Sequence, residues 1–436
     1  MHRVQQGAAG SKYLVLLLVL ALLAGFFYWQ SSYGRIGHVS DLPGNTADHI
    51  AFVRQDGGKT NIFLVSADGS DLRQLTDDKA AKRAPAWSPD GRVLCYAGEP
   101  TGESESGHTF QIFVLGGGAP RMATYGSIGK DAPQFRPDGK MIAFLSGGVI
   151  KVIAPNGQDL RQIYPPPHRG GSSSGNSGDS DEAATDPMQF KLPPISQFKW
   201  SPDGKAIAAV QVLEGETLLG EGRPDWWHQE DQTLHRRPSP GIMEAESVVV
   251  LPSLDAQAPV MLAGAAANHA GIAWYPDGVH LAVSLSTSRN AHGIAVYRTD
   301  DLHGMPEGIY RSVGYTVAPE NPAVSPDGSK IAFELWRMEG PENRELLGIA
   351  VLPADPQPPE STLVIRSKAD MAKIPLVVRG DAHNPQWSPD GSRILYWTYG
   401  RNGRDLWVCR ADGSQPVNLT KGVGDNFDAV WSPARK

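Results

Sequence analysis

The sequence predicts an all-β fold, and three observations carry the prediction. A five-residue motif recurs at Trp87–Gly91, Phe135–Gly139, Trp200–Gly204, Trp274–Gly278, Val324–Gly328 and Trp387–Gly391, each a near copy of Trp-Ser-Pro-Asp-Gly. Each copy is followed by a short apolar run, such as Met141–Phe144 or Lys330–Phe333. With the truncated copy Trp431-Ser432-Pro433, the first residues of the motif are spaced 48, 65, 74, 50, 63 and 44 residues apart. About 40–50 residues is the period of one four-stranded propeller blade. The expected architecture is a seven-bladed β-propeller.

The turn chemistry explains the motif. Serine offers a hydrogen-bonding hydroxyl, proline presets φ, aspartate tolerates the bridge region and glycine supplies a left-handed residue. That combination specifies a type I turn closed by a glycine bulge, which is a strand–turn–strand connection. The aspartates are therefore read as turn residues, not as repeated ligands.

Taken in order, the chain opens with Tyr13–Trp29, an uncharged apolar stretch preceded by His2, Arg3 and Lys12. A helix of roughly 17–25 apolar residues spans a bilayer, and Phe26–Trp29 resemble an interfacial aromatic belt. Residues 1–30 are expected to form an uncleaved membrane anchor, with the N-terminus cytoplasmic, and residues 31–47 a polar tether. Residues 48–436 are the expected propeller, on the periplasmic or outer side. Ile50–Val53, Asn61–Val65 and Leu72–Thr76 supply three strands of a first unit that lacks its own motif. Asp428–Trp431 supplies the missing strand, so pairing of the two ends is expected to close the ring and remove two open edges. Unit six reads as four strands: Pro385–Trp387, Ile394–Trp397, Leu406–Cys409 and Val417–Thr420. Beyond the anchor no segment has the periodicity of an amphipathic helix.

The longest intervals hold insertions. One, at 165–194, is rich in glycine, serine and acidic residues and is expected to be disordered. The other, at 213–246, contains Trp226-Trp227-His228. Two adjacent tryptophans do not both point into one core, so Trp226, Trp227 and His228 are the candidate partner-binding residues; burial of both rings over their own blade is the alternative.

These repeats resemble the WD40-like (PD40) repeat of TolB-type β-propellers. The resemblance rests on Trp87–Gly91 with Val93–Tyr96, on Asn61–Gly69 with Leu75-Thr76, and on Trp387–Gly391 with Leu406–Gly413 and Leu419-Thr420. It covers roughly residues 48–436. Val324 replaces the aromatic marker in unit five, and units three to five lack the second Asp-Gly. The family implies a propeller fold and leaves function open. TolB itself carries a further α/β domain and six blades, so the resemblance is to its propeller alone.

Composition excludes some functions. A net charge of −7 over 436 residues gives no basic excess for a general nucleic-acid binder. The two cysteines, Cys95 and Cys409, are too few for a disulfide framework or a thiolate metal site and read as unpaired core residues. Propellers of this type also cap prolyl-oligopeptidase-like hydrolases, and Gly171–Gly175 matches G-x-S-x-G. The stretch lies in a polar insertion without a strand before it or a helix after it, which the nucleophile elbow requires. His228 and His235 lack zincin spacing, and Asn418-Leu419-Thr420 reads as a closing strand in preference to a glycosylation site. No catalytic, metal or cofactor residue is assigned. The expected function is a non-catalytic scaffold for a protein or an envelope polymer. The alternative is a propeller enzyme of the lyase, glycosidase or quinoprotein kind, marked by His, Arg or carboxylate side chains converging from three blades on one face.

Overall fold

The computed structural model describes residues 42, 46–101, 109–116, 118–165, 194–214, 244–256, 259–266, 271–286, 291–301, 306–313, 317–338, 343–356 and 362–434. The expected anchor, most of the tether and Gly171–Gly175 lie outside them, as does insertion 165–194 apart from its two flanking prolines. Of insertion 213–246, Leu213 and Glu214 belong to the strand Ile207–Glu214, and 244–246 to the strand Glu244–Leu251. The two strands pair to their ends, Glu214 opposite Glu244. Among the described residues no helix is long and apolar enough to cross a membrane.

The chain forms an all-β seven-bladed propeller of seven sheets. Their first strands are Lys82–Trp87, Lys130–Phe135, Ile195–Trp200, Ile272–Trp274, Val317–Val324 and His383–Trp387 for blades two to seven. Blade one takes its first strand, Asp425–Trp431, from the carboxyl end. This strand runs antiparallel to His49–Asp56, with Ile50 opposite Trp431 and Val53 opposite Phe427. Side chains reinforce the pairing: Arg54 Nε donates to Asn426 Oδ1 at 2.8 Å. The Ser432 N–H donates to the His49 carbonyl at 2.8 Å, and Ser432 Oγ donates to the Thr46 carbonyl.

Packing follows from the period-two pattern. The inner strands bury apolar residues on both faces, so every sheet shares a core with each neighbour. Seven apolar clusters result, one per pair of adjacent sheets. One of them joins Ile50, Phe52 and Trp431 of blade one to Leu395, Leu406 and Val408 of blade seven. Cys95 and Cys409 are buried and unpaired, and burial pushes the Cys409 thiol up to about 12.

The marker tryptophans have a further use. The indole of Trp387 donates to the Ala323 carbonyl at 2.9 Å, and that of Trp274 to the Lys199 carbonyl at 3.1 Å. In both cases the acceptor lies on the first strand of the preceding blade. These two pairs of innermost strands are thus cross-linked as well as packed, whereas the indoles of Trp87 and Trp200 have no hydrogen-bond partner among the described residues. Phe135 and Val324 fill the same place without the donor.

The motif turns behave as their chemistry dictates. Ser88 Oγ donates to Asp90 Oδ1 at 2.6 Å and accepts the Val93 N–H at 2.9 Å. Gly91 adopts φ 67°, which L side chains rarely reach. The turns also touch one another: in five of the six the glycine faces the proline of the preceding turn, as Gly391 does Pro326 and Gly91 does Pro433, while Gly278 faces Asp203. The closing threonines are structural too. Thr420 Oγ1 donates to Asp405 Oδ1 at 2.7 Å and accepts the Leu406 N–H at 3.0 Å, in keeping with the closing-strand reading of Asn418–Thr420.

One elaboration has no counterpart in the sequence reading. The connection after Arg344–Pro353 in blade six crosses to blade five, where Leu363–Ile365 adds a fifth, parallel strand beside Glu307–Val313. It returns through a single helical turn, Lys368–Met371, capped by Ser367. A four-residue helix is too short to show a period.

Candidate functional site

In every blade the first strand runs toward its motif turn, so its opening residues lie at the opposite end of the ring. Five of these strands present equivalent residues there. Phe427, Arg83, Asp131, Glu320 and His383 each precede the marker by four, and stand opposite Val53, Ala97, Leu145, Glu334 and Trp397 of the next strand. Four of the five are ionisable. This end of the ring, the mouth, is the candidate site.

A register shift follows that level in all five strands, and the next residue is left-handed: Asp428, Ala84, Ala132, Asn321 and Asn384 have φ of 51°, 51°, 47°, 50° and 51°. Such a β-bulge turns a backbone N–H out of the ladder, and carboxylates collect these donors. The Ala84 N–H donates to Asp428 Oδ2 at 2.8 Å, and the Asn384 N–H donates to Glu334 Oε1 at 2.7 Å. In each case the carboxylate belongs to the preceding blade. Five of the ten non-glycine residues with positive φ among the described residues lie at this opening.

Glu334 is the hub of the mouth. Its carboxylate is almost wholly buried and also accepts from Asn321 Nδ2 at 2.7 Å and Trp336 Nε1 at 2.9 Å. His383 Nδ1 lies 3.7 Å away, an ion pair too long for a hydrogen bond. On its other side, His383 Nε2 meets Asp381 Oδ1 at 2.8 Å. Burial works against the imidazolium, but Glu334 and Asp381 outweigh it and raise the His383 pKa. Burial likewise opposes the Glu334 charge, and His383, the Asn384 N–H and Asn321 outweigh it, holding the carboxyl below its ordinary range. The His383 ring stacks on Trp397 with centroids 4.0 Å apart, and Tyr399 meets it edge-on at 5.8 Å.

Beside this hub a cleft of about 70 Å³ opens between blades seven and one, lined by Asn384, Gln386, Trp397, Arg404, Phe427 and Asp428. Arg404 is held bidentate by Asp425 at 2.8 and 2.7 Å and lies over the Phe427 ring at 4.6 Å. Asp428 reaches solvent but is enclosed by protein. Burial raises its pKa against the Ala84 N–H and Arg404, which lower it. Farther round, Arg83 Nε pairs with Asp131 Oδ1 at 2.9 Å and lies over Phe110 at 4.0 Å.

Trp226, Trp227 and His228 lie outside the described residues. The strand ends that flank their insertion, Glu214 and Glu244, lie at the mouth end of blade four, because Ile207–Glu214 runs toward that end. Sequence reasoning assigned none of Glu334, His383, Trp397, Arg404 or Asp428. Among the described residues no group of three or more His, Cys, Asp or Glu is placed to hold a metal ion.

No family model matches the chain. It is 41% identical over 49 residues to the Tol-Pal system protein TolB of Nitratidesulfovibrio vulgaris, a match covering 11% of each chain. It is 25% identical over 210 residues to the uncharacterized peptidase YuxL of Bacillus subtilis, covering 46% of this chain and 29% of that one. The chain thus matches less than a third of either relative's length. Among solved structures, the β-propeller domain of the Trilobed protease from Pyrococcus furiosus superposes with a TM-score of 0.52 at 10% identity, covering 89% of this chain and 99% of that chain. The likeness is one of fold. That domain is described as having an open velcro topology, whereas here a carboxyl-terminal strand lies on blade one.

Proposed function

We propose that this chain is a non-catalytic recognition scaffold that receives a protein or an envelope polymer at the propeller mouth. The observation that carries the reading is the state of the charges there. Arg404 is held bidentate by Asp425, Arg83 lies within ion-pair distance of Asp131, and His383 sits between two carboxylates. Charges already paired within the protein, beside exposed rings, give a surface of defined shape and polarity, as recognition requires. The cleft of about 70 Å³ is far below the roughly 300–1,000 Å³ of a small-molecule site. A partner would seat one side chain or one substituent in it, with the remaining contact spread over the mouth.

In this reading residues 1–30 anchor the protein in a membrane with the propeller on the periplasmic or outer side, Asp425–Trp431 seals the ring in solution, and insertion 213–246 adds to the recognition face. A second reading has an observation of its own. His, Arg and carboxylate side chains from blades one, two, three, six and seven do converge on one face, the arrangement expected of a lyase or glycosidase built on this fold.

The experiment is photo-crosslinking in the membrane-bound full-length protein, comparing Trp397→Ala/Phe427→Ala with a control altered at the turn end, Ser392→Ala. Loss of a defined crosslinked partner in the mouth variant alone is expected. Unchanged crosslinking in both would overturn the scaffold reading. Turnover of a polysaccharide substrate that disappears in His383→Ala would establish the second reading instead.

A further inference from the structure

The outermost strand of each blade is an edge, and an open edge presents unpaired backbone donors and acceptors to any extended chain that approaches it. Most edges of this ring are blunted. The outer strands Arg73–Gln74, Arg121–Met122, Arg161–Tyr164 and Leu376–Arg379 are short, and each carries an arginine. Val417–Asn418 has only two residues. In blade five the seven-residue strand Glu307–Val313 is covered, because Leu363–Ile365 lies beside it.

Blade four is the exception. Its outer strand, Val260–Ala266, also has seven residues, and among the described residues it pairs with Glu244–Leu251 alone. Its sequence, Val-Met-Leu-Ala-Gly-Ala-Ala, holds no charge and no proline, and no Asp, Glu, Lys or Arg occurs between Asp255 and Asp277. Met261 is 43% exposed. Two register shifts interrupt the pairing with Glu244–Leu251, which shortens the regular stretch of edge without closing it. Glu307–Val313 has such a shift between Gly308 and Tyr310 and still carries a fifth strand at Tyr310–Ser312.

That fifth strand shows what such an edge accepts in this chain. Leu363-Val364-Ile365 is extended, uncharged and brought from outside the blade, and it adds by backbone pairing, Tyr310 opposite Leu363 and Ser312 opposite Ile365. On Val260–Ala266 a charged segment would find no counter-charge, whereas a neutral one meets a neutral edge.

We propose that Val260–Ala266 is a strand-addition site, which takes a short, uncharged, extended segment of a protein partner as the fifth strand of blade four. Backbone hydrogen bonds supply the affinity, and the lack of charge on the edge supplies the selectivity. The site lies on the outer rim, apart from the mouth, and stands independently of the scaffold reading.

Hydrogen exchange of the full-length protein in detergent micelles, read amide by amide, tests this with two synthetic peptides. One is Thr-Leu-Val-Ile-Arg, the sequence of residues 362–366; the other is its charged counterpart Thr-Glu-Val-Glu-Arg. In the protein alone, the amides of Val260–Ala266 that point away from Glu244–Leu251 are expected to exchange freely. The neutral peptide, at about ten times its Kd, is expected to slow them about tenfold, and the charged peptide to leave them unchanged. Met261→Lys places a charge at an exposed position of the edge; it is expected to keep the parent's melting temperature and to lose the slowing. No slowing by the neutral peptide, equal slowing by the charged one, or slowing that persists in Met261→Lys overturns the proposal. Protection in the protein alone that rises with protein concentration assigns the edge to a second copy, and protection independent of concentration assigns it to the rest of the chain. Either result also overturns the proposal.

Discussion

Replacing Glu334 tests the physical account of the mouth most directly. In Glu334→Ala, the Asn384 N–H, the Asn321 amide and the Trp336 indole lose their common acceptor, and His383 loses its inner partner. An unsatisfied buried donor costs about 1–3 kcal/mol, and removing one member of a buried pair about 3–5 kcal/mol. Both figures describe the same removal and are not added: three donors near the lower bound, because the mouth admits water, give about 3 kcal/mol, so a loss of about 3–5 kcal/mol is expected. Glu334→Gln keeps an acceptor oxygen but not the charge, so about half of that loss is expected. The pH dependence has a definite sign. Glu334 has a folded pKa below its ordinary 4.5, so its contribution is present above that value and is lost as pH falls through the folded pKa. His383 has a folded pKa above its ordinary 6.5, so its contribution is present below 6.5 and is lost as pH rises through the folded pKa. The pair therefore stabilises most between about pH 4.5 and 6.5. Urea unfolding of parent and both variants at pH values inside, below and above that window measures the difference. An alanine variant within about 1 kcal/mol of the parent inside the window, or one that keeps the parent's pH profile, would refute the reasoning.

Three further outcomes are expected. Ala84→Gly and Ala132→Gly relieve non-glycine residues held at φ 51° and 47°, and each should raise stability by about 0.5–1 kcal/mol in urea melts. Trp387→Phe removes the indole bond to the Ala323 carbonyl across blades; thermal melting should show a loss of about 1–2 kcal/mol, including some lost packing. Thr420→Ala leaves the Leu406 N–H and Asp405 without their shared hydroxyl. It should destabilise by about 1–3 kcal/mol in protein made without any glycosylation machinery, which separates the structural role from a sugar-acceptor role.

Much of the fold was legible because the turn is chemically exacting. Gly91 and its five counterparts take the positive φ that the motif demanded, and the spacing between copies placed six first strands. The crossing of Leu363–Ile365 onto blade five was not legible, since three apolar residues carry no indication of which edge they will meet. The mouth was hidden for a different reason. Its residues come from separate blades, and no local motif joins Glu334 to His383 across 49 residues. A signal was nevertheless present. Stacking the repeats on their markers puts Phe427, Arg83, Asp131, Glu320 and His383 in one column. Tryptophans adjacent in sequence drew attention to the insertion; the rings that gather round His383 arrive from two strands, one in blade six and one in blade seven.

The strand taken from the carboxyl end has a directional consequence. His49 and Ser432 meet beside the turn of blade two, where Thr46 Oγ1 donates to the Gly91 carbonyl at 2.8 Å. Entry and exit of the polypeptide are therefore neighbours, and both are at the pole remote from His383. A tag or a second protein fused at either side would therefore attach at that pole and not at the charged rim.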